Sequence, residues 1–325
     1  MEKMVSSQRI LIVKSSSMGD VVHALPVAYD IKKAFPDARL DWVVEESFQG
    51  IPHLSPFIDG IVVTAFRRWR KGLLDKEVLR EIGAVRHQLR EAHYDAVIDL
   101  QGLIRSALVT SWANAHSFGY SKETIREPLA SFFYSEKLSV PEALKPVRRY
   151  RVMAARSLGY AIDETSPHYG LVAGEPPEGL ALPGDFVALA PNTSRVEKLW
   201  AENRWVELGK RFQSEGISSA LFWGNAEEKT RVERLAEKIG GAVVLPRMKL
   251  TDCAAVIRKS RAMIGVDTGL AHLGAALAVP SVGIIVGTSA SLFSLVSEGK
   301  AVTVGDKGVV PSVEAVWNAY GEVVA

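Results

Sequence analysis

Residues 10–34, ILIVKSSSMGDVVHALPVAYDIKKA, read as a complete strand–turn–helix unit. Ile10–Val13 form an unbroken apolar run ending on Lys14, which predicts a strand covered on both faces, as in a parallel sheet. Ser15, Ser16 and Ser17 turn the chain, Gly19 permits a tight turn, and a helix is predicted over Asp20–Ala34. Asp20 is a good N-cap type, and it is also a carboxylate brought to the C-terminal edge of a strand. Spacing alone leaves both roles open, and they are compatible. The turn is neither G-x-G-x-x-G nor G-x-x-x-x-G-K-[ST], so it carries no dinucleotide fingerprint and no P-loop.

The same alternation continues outward from this unit. Strands are predicted at Leu40–Glu45, Ile61–Thr64 and Ala96–Leu100, with helices at Asp75–Ala92, Leu103–Asn114, Glu127–Tyr134 and Lys145–Leu158. A Gly-, Pro- and acid-rich stretch, Leu171–Asp185, then reads as a linker. Beyond it the pattern restarts, with strands Phe186–Ala190, Ser219–Trp223, Ala242–Leu245, Ala262–Val266 and Ser281–Val286. Helices are predicted between them at Glu202–Gln213, Glu227–Ile239, Thr251–Lys259 and Leu270–Leu277. The expected fold class is therefore α/β, with two Rossmann-like doubly wound domains over residues 1–172 and 173–325. A last apolar helical stretch, Val313–Val323, is free to pack back on the first half.

Bulk properties narrow the function. The chain has 325 residues, 47% hydrophobic and 23% charged, with a net charge of +2, which argues against a nucleic-acid binder. The basic surplus lies in the first 170 residues, much of it in Arg67-Arg68-Trp69-Arg70-Lys71 and Arg148-Arg149-Tyr150-Arg151. One cysteine, Cys253, excludes a disulfide framework and reads as a small buried hydrophobe. No apolar run approaches the roughly 18 residues that span a bilayer. The N-terminal MEKMVSSQRILIVK has no signal-peptide core, so a cytosolic protein is expected.

Two further strand–helix junctions carry chemistry. In Gly265-Val266-Asp267-Thr268-Gly269-Leu270-Ala271-His272, a strand ends and a helix starts on capping residue types with bare backbone at Gly269. Free N–H groups and the positive end of the helix dipole suit a phosphate, and His272 is near enough in sequence to reach it. The alternative is a plain capped helix with a core histidine. In Pro191-Asn192-Thr193-Ser194-Arg195-Val196-Glu197-Lys198-Leu199-Trp200, hydroxyls and a lysine follow a strand, which suits a diphosphate. The alternative there is a solvated loop.

Taken together, SSSMGD, the K-x-W loop and VDTGLAHL resemble glycosyltransferase family 9, as do WVVEE (Trp42–Glu46), RRWRK (Arg67–Lys71), VIDLQGLIRSA (Val97–Ala107) and REPLASFFY (Arg126–Tyr134). Within it, WVVEE and RRWRK look like the enzymes that add the first heptose of the lipopolysaccharide inner core. The alternative is a second-heptose enzyme or another family 9 member with a different acceptor. The resemblance implies the GT-B fold, with an acceptor-binding first domain, a donor-binding second domain and a cleft between them. It implies metal-independent, inverting transfer from ADP-L-glycero-beta-D-manno-heptose, a co-substrate, to the Kdo of Kdo2-lipid A, with no cofactor. It places the protein on the cytoplasmic face of the inner membrane, in peripheral contact with anionic lipid and not with nucleic acid.

Residue by residue, the resemblance makes Asp20 the general base and Lys198 the group that stabilises the leaving diphosphate, held with Thr193 and Ser194. Glu228 matches an acid that binds the nucleotide ribose, and Met248 an adenine contact. Thr268, Gly269 and His272 match residues at the phosphates, with Asp267 beside them. Arg67, Arg68, Arg70, Lys71 and Arg126 fall where the acceptor's phosphates and carboxylates would lie. One departure stands out. Relatives carry a Y-G-P-T-x-P loop where this chain has Ile284–Ala290 without prolines, so no residue of that segment takes a role.

Overall fold

The computed structural model describes residues 8–163 and 166–325. The first seven residues, read above as lacking a signal peptide, lie outside them. The chain divides into two compact units, Met1–Gly170 and Leu171–Ala325.

The first unit is a six-stranded parallel sheet of β1 (Arg9–Val13), β2 (Arg39–Glu45), β3 (Gly60–Thr64), β4 (Ala96–Asp99), β5 (Ser117–Tyr120) and β6 (Glu136–Leu138). Its strand order is β3-β2-β1-β4-β5-β6. β1 lies in the middle, with Ile10 opposite Leu40 on one side and Ala96 on the other. Ile10–Val13 are completely buried, which is why the run is apolar without alternation. Each such side chain contributes about 1.5–3 kcal/mol relative to exposure. The helices are α1 (Met18–Ala24), α2 (Pro26–Ala34), α3 (Phe66–Trp69), α4 (Lys76–Glu91), α5 (Ile104–Trp112) and α6 (Pro146–Leu158).

The second unit repeats the plan with β7 (Phe186–Ala190), β8 (Ser218–Leu221), β9 (Val243–Val244), β10 (Ala262–Val266), β11 (Ser281–Ile284) and β12 (Ala301–Val304). All pairs are parallel, in the order β12-β11-β10-β7-β8-β9. Its helices are α7 (Glu202–Ser214), α8 (Ala226–Ile239), α9 (Leu250–Lys259), α10 (Gly269–Ala276), α11 (Ala290–Phe293) and α12 (Val313–Val324). Counted from each unit's first strand, both sheets run 3-2-1-4-5-6, the doubly wound order, with its reversal between the first and fourth strands. Residues 171–185 carry no helix or strand.

The structure departs from the sequence reading in several local elements. The helix expected over Asp20–Ala34 is two helices, because Pro26 has no N–H and its ring clashes with the carbonyl four residues back. The segment expected as a helix over Glu127–Tyr134 is a 3-10 helix, Pro128–Phe133. Strands β5, β6 and β12 are three or four residues long and were not anticipated. The final helix packs within the second unit. In α12, Val313, Val316, Ala319, Tyr320 and Val323 join the core of the second unit, where the Phe212 and Tyr320 rings meet edge to face at 4.9 Å.

Candidate active site

In parallel sheets of this order, ligands bind at the C-terminal ends of the strands, beside the reversal. In the first unit that point lies between β1 and β4. The β1 turn leads into α1, where Asp20 closes a capping box: its Oδ2 accepts from the Ser17 amide at 3.0 Å and the Ser17 hydroxyl at 2.8 Å. Its Oδ1 accepts from the Tyr150 hydroxyl of α6, also at 3.0 Å. The N-cap of α1 is therefore Ser17 and not Asp20, because the helix starts at Met18; Asp20 sits at the third helical position and reaches back to the cap. The turn itself is held from the β4 side. Gln101 Oε1 accepts from the Ser16 amide at 3.1 Å, and Arg105 donates to the Ser16 hydroxyl at 2.9 Å.

Lys14 directly follows β1 and is buried, its Nζ 4.5 Å from the Tyr150 ring centroid. Burial by itself would raise the Asp20 pKa. The Lys14 charge and the Ser17 hydroxyl outweigh it and hold the carboxyl well below the usual carboxylate range. Burial lowers the Lys14 ammonium's pKa, and the Asp20 and Asp99 charges pull it back up. The Tyr150 phenol is pushed far up by burial and then by the Asp20 charge, so it stays protonated and donates. Neither Lys14 nor Tyr150 was singled out as a site residue from the sequence. The available signal was a charged residue directly continuing a fully apolar strand.

In the second unit the reversal lies between β7 and β10, and the loops that follow those strands meet there. Asp267, after β10, is the hub. Its Oδ2 accepts from Lys198 Nζ at 2.7 Å and from the Thr288 hydroxyl at 2.8 Å, and His272 Nε2 lies 3.5 Å from Oδ1. The Thr193 hydroxyl donates to the Asp267 carbonyl at 3.2 Å. Burial would raise the Asp267 pKa, but the bonds from His272, Lys198 and Thr288 and the Lys198 charge take it far below the usual range. Thr268 is the N-cap of α10 with no side-chain cap bond, and Gly269 opens the helix. His272 is buried one turn further on.

The structure therefore brings Thr193, Lys198, Asp267, Thr268, Gly269 and His272 together. Ser194 stands exposed in the same loop. Thr288 joins them from the proline-free segment that the sequence left without a role. Its hydroxyl was not recognisable because the partner lies 21 residues away, on a different strand's loop. Glu228 and Met248 follow β8 and β9 at the same edge of the sheet. Glu228, in the first turn of α8, accepts from the Gly224 amide at 2.7 Å, and Met248 is half-buried ahead of α9.

Packing divides the residues of the two basic clusters. Trp69 lies in the middle of the Arg67–Lys71 run. It is 2% exposed, and its indole N–H donates to Glu81 at 2.8 Å, so it roots α3 in the core. Arg68 pairs with Glu46 and Glu81, which leaves Arg67, Arg70 and Lys71 as exposed charges there. Arg67 lies 5.0 Å from the Phe48 ring centroid. In the other cluster, Arg151 is buried against Asp30 at 2.6 Å and Arg149 stacks on Tyr120, while Arg148 is exposed. Arg126 is exposed ahead of the 3-10 helix. Cys253 is buried, its thiol pushed up to about 12 by burial, as suits an unreactive core group.

No group of three or more His, Cys, Asp or Glu side chains able to hold a metal occurs among the described residues. Nor is any helix among them long and apolar enough to cross a membrane.

The sequence model of glycosyltransferase family 9 (heptosyltransferase) matches residues 82–316. The chain is 40% identical over 275 residues to lipopolysaccharide heptosyltransferase 1 of Escherichia coli K12, covering 84% of this chain and 86% of that one. The E. coli heptosyltransferase WaaC solved with ADP superposes with a TM-score of 0.88 at 35% identity, covering 97% of this chain and 99% of the other. The same enzyme with ADP-2-deoxy-2-fluoro heptose gives 0.84 at the same identity and coverage.

Proposed function

The chain belongs to glycosyltransferase family 9, the heptosyltransferases, and on that premise we propose that it transfers a heptose from ADP-heptose to the Kdo of Kdo2-lipid A in building the lipopolysaccharide inner core. The observation that carries this reading is the cluster at the reversal of the second sheet. There a lysine, two threonines and a helix start converge around Asp267, in a chain similar over nearly its whole length to an enzyme solved with ADP. In this reading residues 1–172 hold the acceptor and residues 173–325 the donor.

The reaction breaks the bond between the anomeric carbon and the diphosphate and forms one to a sugar hydroxyl, with inversion. Charge develops on the departing ADP, so a cation and oriented N–H groups at that oxygen lower the barrier. Lys198 supplies the cation, as a point charge that exchanges its Asp267 partner for the diphosphate. The bare N–H groups at Thr268–Gly269 supply the dipole. Thr193 and Ser194 offer hydroxyls to the same diphosphate. Glu228 takes the ribose hydroxyls, and Met248 packs on the adenine.

On the other side of the reaction, Asp20 takes the proton from the attacking hydroxyl. Lys14 and Ser17 keep it ionised through the neutral range, so it is always ready to accept, and Tyr150 fixes its orientation. A strongly depressed base transfers protons with less driving force, so the proton moves late, once the oxocarbenium-like carbon has made the hydroxyl acidic. Arg67, Arg70, Lys71 and Arg126, with Arg68 in its ion pairs, meet the phosphates and carboxylates of the acceptor. Protein groups neutralise the diphosphate without a metal. The acceptor is a lipid, so the protein works in peripheral contact with the cytoplasmic face of the inner membrane.

Incubation with ADP-heptose and Kdo2-lipid A, with the product weighed by mass spectrometry, tests the reading. One heptose added to the Kdo region supports it. Transfer only to an acceptor that already carries a heptose, or hydrolysis without transfer, overturns it.

A further inference from the structure

Five large apolar side chains face water on two neighbouring elements of the first unit. α5 presents Ile104 and Leu108, one turn apart, and the 3-10 helix presents Leu129, Phe132 and Phe133. Leu129 is 63% and Phe132 72% exposed. The two elements pack against each other, and Glu127 joins their starts by accepting from the Ile104 amide at 2.7 Å. Their other faces are buried, with Ser106, Ala107 and Val109 on α5 and Ala130 and Ser131 on the 3-10 helix. The exposed side chains are therefore held on a well-packed base. Single exposed apolar residues are ordinary, but a contiguous group displayed this way marks a contact surface.

The charges around it say what kind of contact. Arg105, between Ile104 and Leu108, and Lys122 and Arg126, just ahead of the 3-10 helix, are all exposed. Residues 102–134 contain two acidic side chains, and one of them, Glu127, is engaged with the Ile104 amide. Apolar rings bordered by cations match an anionic lipid surface, where the rings enter the acyl boundary and the cations meet headgroup phosphates. A second copy of the chain docked by two-fold symmetry would instead set these cations against themselves.

The location agrees. α5 follows β4 and the 3-10 helix follows β5, so both start from the sheet edge that carries Asp20. Arg105 reaches from the apolar face directly to Ser16 in the Asp20 turn. We infer that the face formed by Ile104, Leu108, Leu129, Phe132 and Phe133 rests on the anionic bilayer that anchors the acceptor. This brings the turn bearing Asp20 to the height of the acceptor's sugar. The inference rests on the acceptor being a lipid, as proposed above.

The test uses the full chain and the double variant Leu129→Ser/Phe132→Ser, sedimented with vesicles of phosphatidylcholine alone or with phosphatidylglycerol added. Both side chains are exposed, so the variant should melt like the wild type. The wild type should bind the phosphatidylglycerol vesicles and bind neutral ones weakly. The variant should lose roughly tenfold or more in partitioning, since two apolar side chains leave the acyl boundary. Its KM for Kdo2-lipid A in those vesicles should rise, with kcat/KM for a deacylated, water-soluble Kdo acceptor unchanged. Equal partitioning of variant and wild type overturns the inference. So does an equal loss on the soluble acceptor, or a wild-type dimer that the variant disperses. A wild type that glycosylates neither acceptor defeats the proposed reaction instead, because sedimentation reads the docking independently.

Discussion

Replacing Lys198 by alanine should destabilise the second unit at neutral pH, and removing Asp267 as well should return much of the loss. The Lys198 and Asp267 side chains are 15% and 8% exposed, and their charged atoms are 2.7 Å apart. Deleting one partner of a buried pair costs about 3–5 kcal/mol, because the other charge is left without compensation. Asp267 keeps the Thr288 hydroxyl and His272, which puts the expected cost at the lower end, about 3 kcal/mol. For a unit of this size that is a fall in Tm of roughly 6–12 °C. In the variant lacking both groups no charge is stranded, so the two losses should fail to add, by about 1–3 kcal/mol.

The pH dependence has a definite sign. Asp267 titrates far below its ordinary range, so it contributes stability above that range and loses it as pH falls through the folded value. Without Lys198 the carboxyl's pKa rises from its depressed position, so protonation relieves the stranded charge at higher pH than in the wild type. The gap between Lys198→Ala and the wild type should therefore narrow from pH 7 to pH 5. Thermal and urea melts of the wild type, both single variants and the double variant at the two pH values measure this directly. An unchanged Tm for Lys198→Ala at pH 7, or strict additivity in the double variant, would refute the view of Asp267 as a buried charge held by Lys198.

Asp20→Asn should lower kcat by roughly 10²–10⁴-fold with ADP affinity unchanged, and should lower Tm because the buried Lys14 ammonium loses an opposing charge; a rate near wild type would leave Asp20 with its bonds to Ser17 and Tyr150 alone. Lys14→Met removes the charge that holds Asp20 down, so the acid limb of the kcat–pH profile should move to higher pH. A profile superimposable on the wild type would show that Lys14 does not act on the base. Replacing Arg67, Arg70 and Lys71 should raise the acceptor KM more at low than at high salt, with donor KM unchanged, because exposed charges are screened within about 8 Å at physiological ionic strength. Arg68→Ala differs from these because it also breaks the pairs with Glu46 and Glu81, and it should lower Tm by a small amount.

The sequence by itself determined the alternation of strand and helix, the break near residue 171 and the three turns that carry Asp20, Lys198 and Asp267. Each depends on local order: an apolar run, small or capping residues, then an amphipathic stretch. Family membership was legible for the same reason, since its motifs are short contiguous strings. Short strands were not legible, because three or four residues such as Ser117–Tyr120 carry too little periodicity and gain their structure from paired neighbours. Side-chain partners were the other blind spot. Tyr150 and Asp20 are 130 residues apart in sequence, and Lys198 and Asp267 are 69 apart. The doubly wound order sets β7 beside β10 and so brings Lys198 to Asp267, whereas Tyr150 reaches Asp20 because α6 packs on α1 and α2. The same distinction governs the basic residues. Arg67 to Lys71 look alike in sequence, but packing sends Trp69 inward and Arg68 into ion pairs, because the helix that carries them must bury one face against α4 and the sheet. Composition supplied the charge, and tertiary packing decided which charges remain exposed.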